Sequence, residues 1–331
     1  MAATITKAEI TPPKAQSISI SMINVDDESF RMTFCPDLKK LRASIEKIGL
    51  INPVILRRGK PFQIVSGYRR IVIAQSLGWE KIEAKVYASE ELSVEEGFRL
   101  NLYENLGTRT FNLIEASMVV TGFPDRCGTD ESQVRSEVLP LLGFQPGNKV
   151  LHMLSSLRYL SKEWKELVIT KDMPLLIASK ISRFSLQDQE VLLTALSGLH
   201  LGQNKMKECL EVAEEICRRD GLSLLQLFTA EPFPSLYQDD RLNNTERTEM
   251  FRKVLRARRY PELTRQQNHF QELRKKLSLP PSVTLVPPDF FEGDKLKVNL
   301  EFRSPEELRT ILEKLETAAD SEGLKMLLGM L

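Results

Sequence analysis

A strand that ends at Ser66-Gly67 and passes at once into a helix opening Tyr68-Arg69-Arg70 constrains this chain more than any other feature. Residues 62–78 read FQIVSGYRRIVIAQSLG. Gly67 permits a positive φ or a close backbone approach. The first amides of the following helix have no acceptor inside it and form a natural anion site. Arg69 and Arg70 add charge-assisted donors whose planar fork suits a polyphosphate. Taken alone, the segment reads more readily as a solvated helix start bearing two surface arginines. It is not a GxxxxGK[ST] loop.

Hydrophobic periodicity around this turn predicts a small α/β unit. Residues 17–25 alternate as a strand, and 29–34 continue extended. Asp37 caps a helix that carries Leu38, Leu41, Ile45 and Ile48 and stops at Gly49. Asn52-Pro53 opens a strand over 54–56, Arg58-Gly59-Lys60 turns it back, and a further strand covers 82–87. Residues 91–105 read as a helix with Phe98, Leu102 and Leu106 inward. This helix ends in Glu104-Asn105, followed by Arg109. A carboxylate beside an amide can hold a hydrated divalent metal near phosphates, and Arg109 can reach the same phosphates. A polar helix end running into a loop is the alternative.

Together these segments resemble the ParB family of partition proteins. The family order is GLxxPI, a strand, G-x-R-R-x-x-A, then EN-x-x-R-x-x-L-N-x-x-E-x-A. This chain shows Gly49-Leu50-Ile51-Asn52-Pro53-Val54, Gly67-Tyr68-Arg69-Arg70-Ile71-Val72-Ile73-Ala74, Glu104-Asn105, Phe111-Asn112 and Glu115-Ala116. The resemblance covers about residues 17–116 and implies an N-domain of the ParB/sulfiredoxin-like α/β fold. It also implies CTP with magnesium (Mg2+) as ligands. Gly67, Arg69 and Arg70 would hold the triphosphate, and Glu104 and Asn105 would serve the metal and phosphate side. Gly49, Leu50, Asn52 and Pro53 would lie near base and ribose. Two departures stand out. Tyr68 occupies the position of the family's acidic residue, and Arg109 comes one residue late, with Thr108 in its place. Without the acidic residue, at most weak CTP hydrolysis is expected.

A polar break at 122–130 separates a mostly helical middle part. Val134, Val138, Leu141 and Leu142 form a stripe ending at Gly143. Gln145-Pro146-Gly147 turns, and Asn148 is placed to cap a second helix carrying Val150, Leu151, Leu154, Leu157 and Leu160. Two short helices on a tight turn fit a helix-turn-helix or plain bundle packing. The stretch 131–200 also resembles the family's helix-turn-helix domain. Asn148, Lys149, His152 and Ser155 would then face double-stranded DNA, a weakly charged reading surface.

Residues 231–244 read as a linker or an exposed loop. Arg252, Arg256 and Arg259 share a helix face able to track phosphates, or simply to solvate itself. Strands at 283–286 and 298–302 precede a helix started by Ser304-Pro305-Glu306-Glu307. So small a unit completes itself by docking or by dimerising. The expected domains are 1–120, ParB-like and nucleotide-binding; 121–230, helical and DNA-binding; and 231–331, a basic helix with a small α+β dimerisation unit.

Composition narrows the alternatives. The formal net charge is only +1, so any DNA surface must be local. Four cysteines without a CxxC pair and three scattered histidines argue against zinc. No segment approaches eighteen apolar residues and no leader pattern opens the chain, so no membrane partner and a cytoplasmic home are expected; the family resemblance implies association with nucleoid or plasmid. The family implies a homodimer and a partition-type ATPase partner. A small-molecule kinase on the same N-domain fold, or an adaptor with a degenerate pocket, are the competing readings. A sulfiredoxin is rejected because Tyr68, not a cysteine, follows Gly67.

Overall fold

The computed structural model describes residues 12–331; the first eleven residues of the expected 1–120 domain lie outside this range. The chain divides into two compact units, Met1–Thr194 and Ala195–Leu331.

The first unit opens with β1 (Ala15–Ser19), a 3-10 turn (Ile20–Met22) and β2 (Ile23–Asn24), then α1 (Lys39–Ile48), β3 (Val54–Arg57), β4 (Phe62–Ser66), α2 (Tyr68–Ser76) and β5 (Lys81–Tyr87). The sheet order is β1-β5-β3-β4-β2. β1–β5 and β3–β4 are antiparallel, while β3–β5 and β2–β4 are parallel. The single strand expected over 17–25 is therefore split, its halves pairing at opposite edges. Strict alternation would send Ile20 and Ile23 to opposite faces. The turn lets both enter the core, at 5% and 6% exposure, and the Ile20 amide ties it to Glu80 O at 3.0 Å. Residues 29–34 are not a strand but a loop whose Phe30 and Met32 are buried. The Asp37 carboxylate accepts the Lys39 amide at 3.0 Å. Of the stripe expected on α1, only Ile45 is buried, and Ile48 is exposed.

The helix α3 (Val94–Leu106) starts in a Ser93/Glu96 capping box, and α4 (Leu113–Cys127) in an Asn112/Glu115 box. The break expected at 122–130 begins later, because α4 runs on to Gly128. Gly122 serves packing: a Cβ there would stand 2.3 Å from Phe98 Cζ. The Phe98 ring meets Phe123 edge-on at 5.2 Å.

Next come α5 (Glu131–Gln133), a π-helical turn (Val134–Val138), α6 (Leu139–Leu141), α7 (Asn148–Ser156), a 3-10 turn (Leu157–Tyr159), α8 (Lys162–Thr170), α9 (Leu175–Ile181) and α10 (Leu186–Leu196). Gly147, not Asn148, is the N-cap of α7. Asn148 is already helical, and its side-chain oxygen accepts from the Arg135 guanidinium instead. Gln189, fully buried, staples this region. Its side chain accepts the Ser161 amide at 2.9 Å and donates to Tyr159 O and Phe184 O at 3.1 and 3.0 Å. Trp164 Nε1 donates to its backbone carbonyl at 2.8 Å. Gln189→Leu keeps the bulk but strands three backbone groups. We expect a loss of about 3 kcal/mol, measured by urea unfolding.

The second unit contains α11 (Gln203–Asp220), α12 (Leu224–Thr229), α13 (Phe233–Tyr237), α14 (Asn244–Arg259), α15 (Pro261–Lys276), β6 (Val283–Val286), β7 (Lys297–Leu300), α16 (Pro305–Ala319) and α17 (Glu322–Leu328). Residues 231–244 are not a linker. They contain α13, whose Phe233 is fully buried against Phe228 and Phe251 at 5.1 and 5.5 Å. The basic face of α14 is largely neutralised. Glu208 and Glu215 of α11, two turns apart, meet Arg252 and Arg259, also two turns apart, at 2.8 and 2.6 Å. β6 and β7 form an antiparallel pair. Leu285, Phe291 and Leu327 cluster with Phe270 and Leu273 of α15. Ser304 accepts the Glu307 amide at 3.2 Å, as its sequence position implies.

Among the described residues no helix is long and apolar enough to cross a membrane.

Candidate functional site

The turn between β4 and α2 opens on a cavity of roughly 410 Å³. Gly67 takes φ +99° and ψ 16°, and no side chain caps α2. Ile71 is the first residue to close the helical ladder, donating to Gly67 O at 3.1 Å. The amides of Tyr68, Arg69 and Arg70 therefore belong to the unsatisfied first turn.

Gly49, Leu50, Asn52, Gly67, Tyr68, Arg69, Arg70, Glu104, Asn105 and Arg109 all line this cavity. Pro53 stands behind the wall, where its carbonyl and that of Asn52 accept from Arg70 Nη1 at 3.2 and 2.9 Å. Arg70 Nη2 donates to Glu104 Oε1 at 2.8 Å, and Ser66 Oγ donates to Glu104 Oε2 at 2.6 Å. The residue types around α2, with a volume in the usual range for a ligand pocket, suit a phosphorylated small molecule.

A second knot of charge centres on Glu115. Glu115, 1% exposed, accepts from Arg109 Nη1 and from the Phe34 and Asn112 amides, both at 3.2 Å. Arg109 also donates to Asn105 Oδ1 at 2.6 Å and to Met32 O at 2.9 Å. Arg69 has only a long approach to Glu115, 3.8 Å, and its Nε is buried without a partner. Burial and, next, the neighbouring Arg109 pull the Arg69 guanidinium below its ordinary pKa, with Glu115 and Asp37 opposing. Arg69, which lines the cavity, thus keeps a buried donor without an acceptor.

The cation reading is less prepared. Both oxygens of Glu104 and the side-chain oxygen of Asn105 already accept hydrogen bonds. No group of three or more His, Cys, Asp or Glu side chains among the described residues is placed to hold a metal ion. Magnesium would fit here only as a companion of bound phosphates, with Arg70 turned away from Glu104.

Sequence reasoning missed several members of the site. Asp27, Arg31, Thr33, Ser66, Asn101 and Thr108 also line the cavity. Arg31 lies over the Tyr68 ring at 4.5 Å. Glu115 entered the sequence reading only as part of a motif, with nothing to mark it as a buried counter-ion.

The DNA-facing candidates lie apart from this cavity, along α7. Asn148, Lys149 and His152 are exposed and Ser155 is half-buried. Leu151 and Leu154 face inward. Arg135, paired to Asn148, adds a cation at the start of α7 that sequence reasoning did not include.

Residues 2–106 match the ParB N-terminal domain. A probable plasmid-partitioning protein ParB of Thermus thermophilus is 33% identical over 85 residues, 25% of this chain and 28% of the relative. The chain thus spans little more than a quarter of that relative's length. Among solved structures, Caulobacter crescentus ParB complexed with CTP-gamma-S gives 19% identity over 54% of this chain and 96% of its own, with a TM-score of 0.26. The same protein complexed to the centromeric parS site gives 18% over 64% and 95%, with a TM-score of 0.32. The match over residues 2–106 stands on sequence: about the first third of the chain is similar to the ParB N-terminal domain.

Proposed function

We propose that this chain is a nucleotide-responsive, DNA-binding partition protein. One observation carries the reading. An uncapped helix start at Gly67–Arg70 opens on a cavity shared with Glu104, Asn105 and Arg109, inside a ParB N-terminal domain. CTP is the proposed ligand, with magnesium entering beside its phosphates. The triphosphate would lie against the α2 amides, Arg69 and Arg70, and the base and ribose near Gly49, Leu50, Asn52 and Pro53. The middle helices would engage double-stranded DNA through Asn148, Lys149, His152 and Ser155. The C-terminal unit would hold a homodimer, and a partition-type ATPase would be the upstream partner in plasmid or chromosome segregation. Its place would be the cytoplasm, on nucleoid or plasmid. The three-domain division at 120 and 230 is proposed on the same footing. With Tyr68 at the acidic position, the nucleotide acts as a switch and is at most slowly hydrolysed.

Calorimetric titration with CTP and ATP, with and without magnesium, tests the nucleotide half. Selective, magnesium-dependent CTP binding is expected; preference for ATP would favour the kinase, and no binding a degenerate pocket. Lys149→Ala with His152→Ala should weaken DNA binding at least tenfold and leave CTP affinity unchanged. Equal DNA affinity would remove α7 from the interface.

A further inference from the structure

We infer that Arg135 is a positioning residue for DNA reading. It holds Asn148 as a hydrogen-bond donor, so the start of α7 reads groups that only accept, guanine O6 and N7 or a phosphate oxygen, and does not read adenine. The inference rests on the reading of α7 as the DNA-facing helix and deepens it.

Arg135 lies on the π-helical turn Val134–Val138. Both ends of that turn are anchored, with Val134 and Val138 at 0% and 3% exposure. From between them Arg135 reaches the first residue of α7, thirteen positions on. Single π-helical turns are rare and recur at functional sites. Arg135 Nη1 donates to Asn148 Oδ1, and Nη2 donates to Ser132 Oγ at 3.3 Å. Neither partner carries charge. Arg252 and Arg259, by contrast, are each set against a glutamate of α11. The Arg135 charge is therefore left to act on a ligand.

The pairing fixes the chemistry of Asn148. A guanidinium has five donors and no acceptor, so the amide atom turned to it must be the oxygen. The amide nitrogen, with its two hydrogens, is then the atom left for DNA. Adenine recognition needs an amide that accepts from N6 while it donates to N7, which uses Oδ1 and Nδ2 together. With Oδ1 engaged by Arg135, that bidentate contact is closed. What this end of α7 presents is a set of donors: Asn148 Nδ2, the remaining guanidinium hydrogens of Arg135, and the Lys149 ammonium. The major-groove edge of guanine carries two acceptors, and a phosphate oxygen is another. The set stands on the outward side of the helix. Asn148 and His152, four apart and both exposed, share a face, while Leu151 and Leu154 are buried.

The test is selection of bound sites by the full chain from a duplex library with a randomised core. Wild type, Asn148→Ala, Arg135→Met and Arg135→Ala are compared. Neither residue belongs to the buried core, so all four should unfold at the same temperature. If the acceptor is a base edge, wild type enriches guanine at the position whose preference Asn148→Ala abolishes. If it is a phosphate, Asn148→Ala weakens all sites alike and changes no position. In both cases the Arg135 variants free Oδ1, and adenine should gain about tenfold at one position of the selected sites. A purely structural Arg135 would not change base identity. Adenine already preferred by wild type at the position lost in Asn148→Ala overturns the inference, as does no gain of adenine in either Arg135 variant. Identical sites and affinities for wild type and Asn148→Ala overturn it too. All three results leave α7 as the DNA-facing helix through Lys149 and His152. No library DNA retained by wild type overturns both readings.

Discussion

Gly67→Ala should lose CTP binding altogether and destabilise the first unit by about 2–4 kcal/mol. Two costs add. At φ +99° any residue with a Cβ is strained, by about 1–2 kcal/mol in the left-handed region. The added methyl would also stand 2.7 Å from Val54 Cγ1 and 2.9 Å from Val54 Cβ. Val54 is fully buried on β3, which pairs with both β4 and β5. It has nowhere to retreat, and overpacking a filled core costs about 1–3 kcal/mol. The third neighbour, Arg70 Nε at 3.2 Å, is the flexible party, so relief would come by rotating the first turn of α2. That rotation withdraws the amides and Arg70 from the cavity together. Thermal unfolding and CTP calorimetry on one preparation check both halves. A variant of wild-type stability that still binds CTP would show that the turn is not the phosphate cradle.

That turn was legible because everything it needs is local. A strand, a glycine and two arginines occupy nine consecutive residues, and their period and punctuation are fixed by backbone sterics. The same holds for the β3–β4 hairpin and for the Ser304 helix start. Features that depend on distant partners were not legible. The split of the first strand is decided by Ile20 and Ile23 competing for one core, and by the Glu80 carbonyl sixty residues on. The 231–244 segment has the prolines and aspartates of a linker, yet Phe233 earns its place between two phenylalanines that sequence does not show to be neighbours. The basic face of α14 was read correctly as a face. Its partners on α11 emerge only from the pairing of two helices whose charges repeat at the same two-turn interval. In the cavity, sequence picked out the residues that a motif carries in order. It missed Arg31, Thr33 and Asn101, which the 30–33 loop and α3 bring in without any periodic signature.

Removing the Glu115 carboxylate should cost more than any other single polar substitution in the first unit. Glu115 and Arg109 are 1% and 9% exposed at their side chains, so water cannot replace either partner. Glu115→Ala leaves Arg109 buried without its counter-ion and deprives Arg69 of its nearest acid. It also strands the Phe34 and Asn112 amides. Breaking a buried pair from one side costs about 3–5 kcal/mol. The damage should be specific in kind. Arg109 holds Asn105 and the Met32 carbonyl, so the loop at 30–34 and the end of α3 should loosen together. Faster amide exchange in both segments, with the sheet still protected, is the expected pattern. The paired variant Arg109→Met/Glu115→Leu separates charge from packing. With both ions gone, no uncompensated charge remains, and stability should recover to within about 2 kcal/mol of wild type. Nucleotide affinity should not recover with it, because Arg69 and Arg109 are both drawn from the set that faces the cavity and only one survives. A double variant that regained stability and full CTP binding would reduce the Arg109–Glu115 pair to a purely structural clamp.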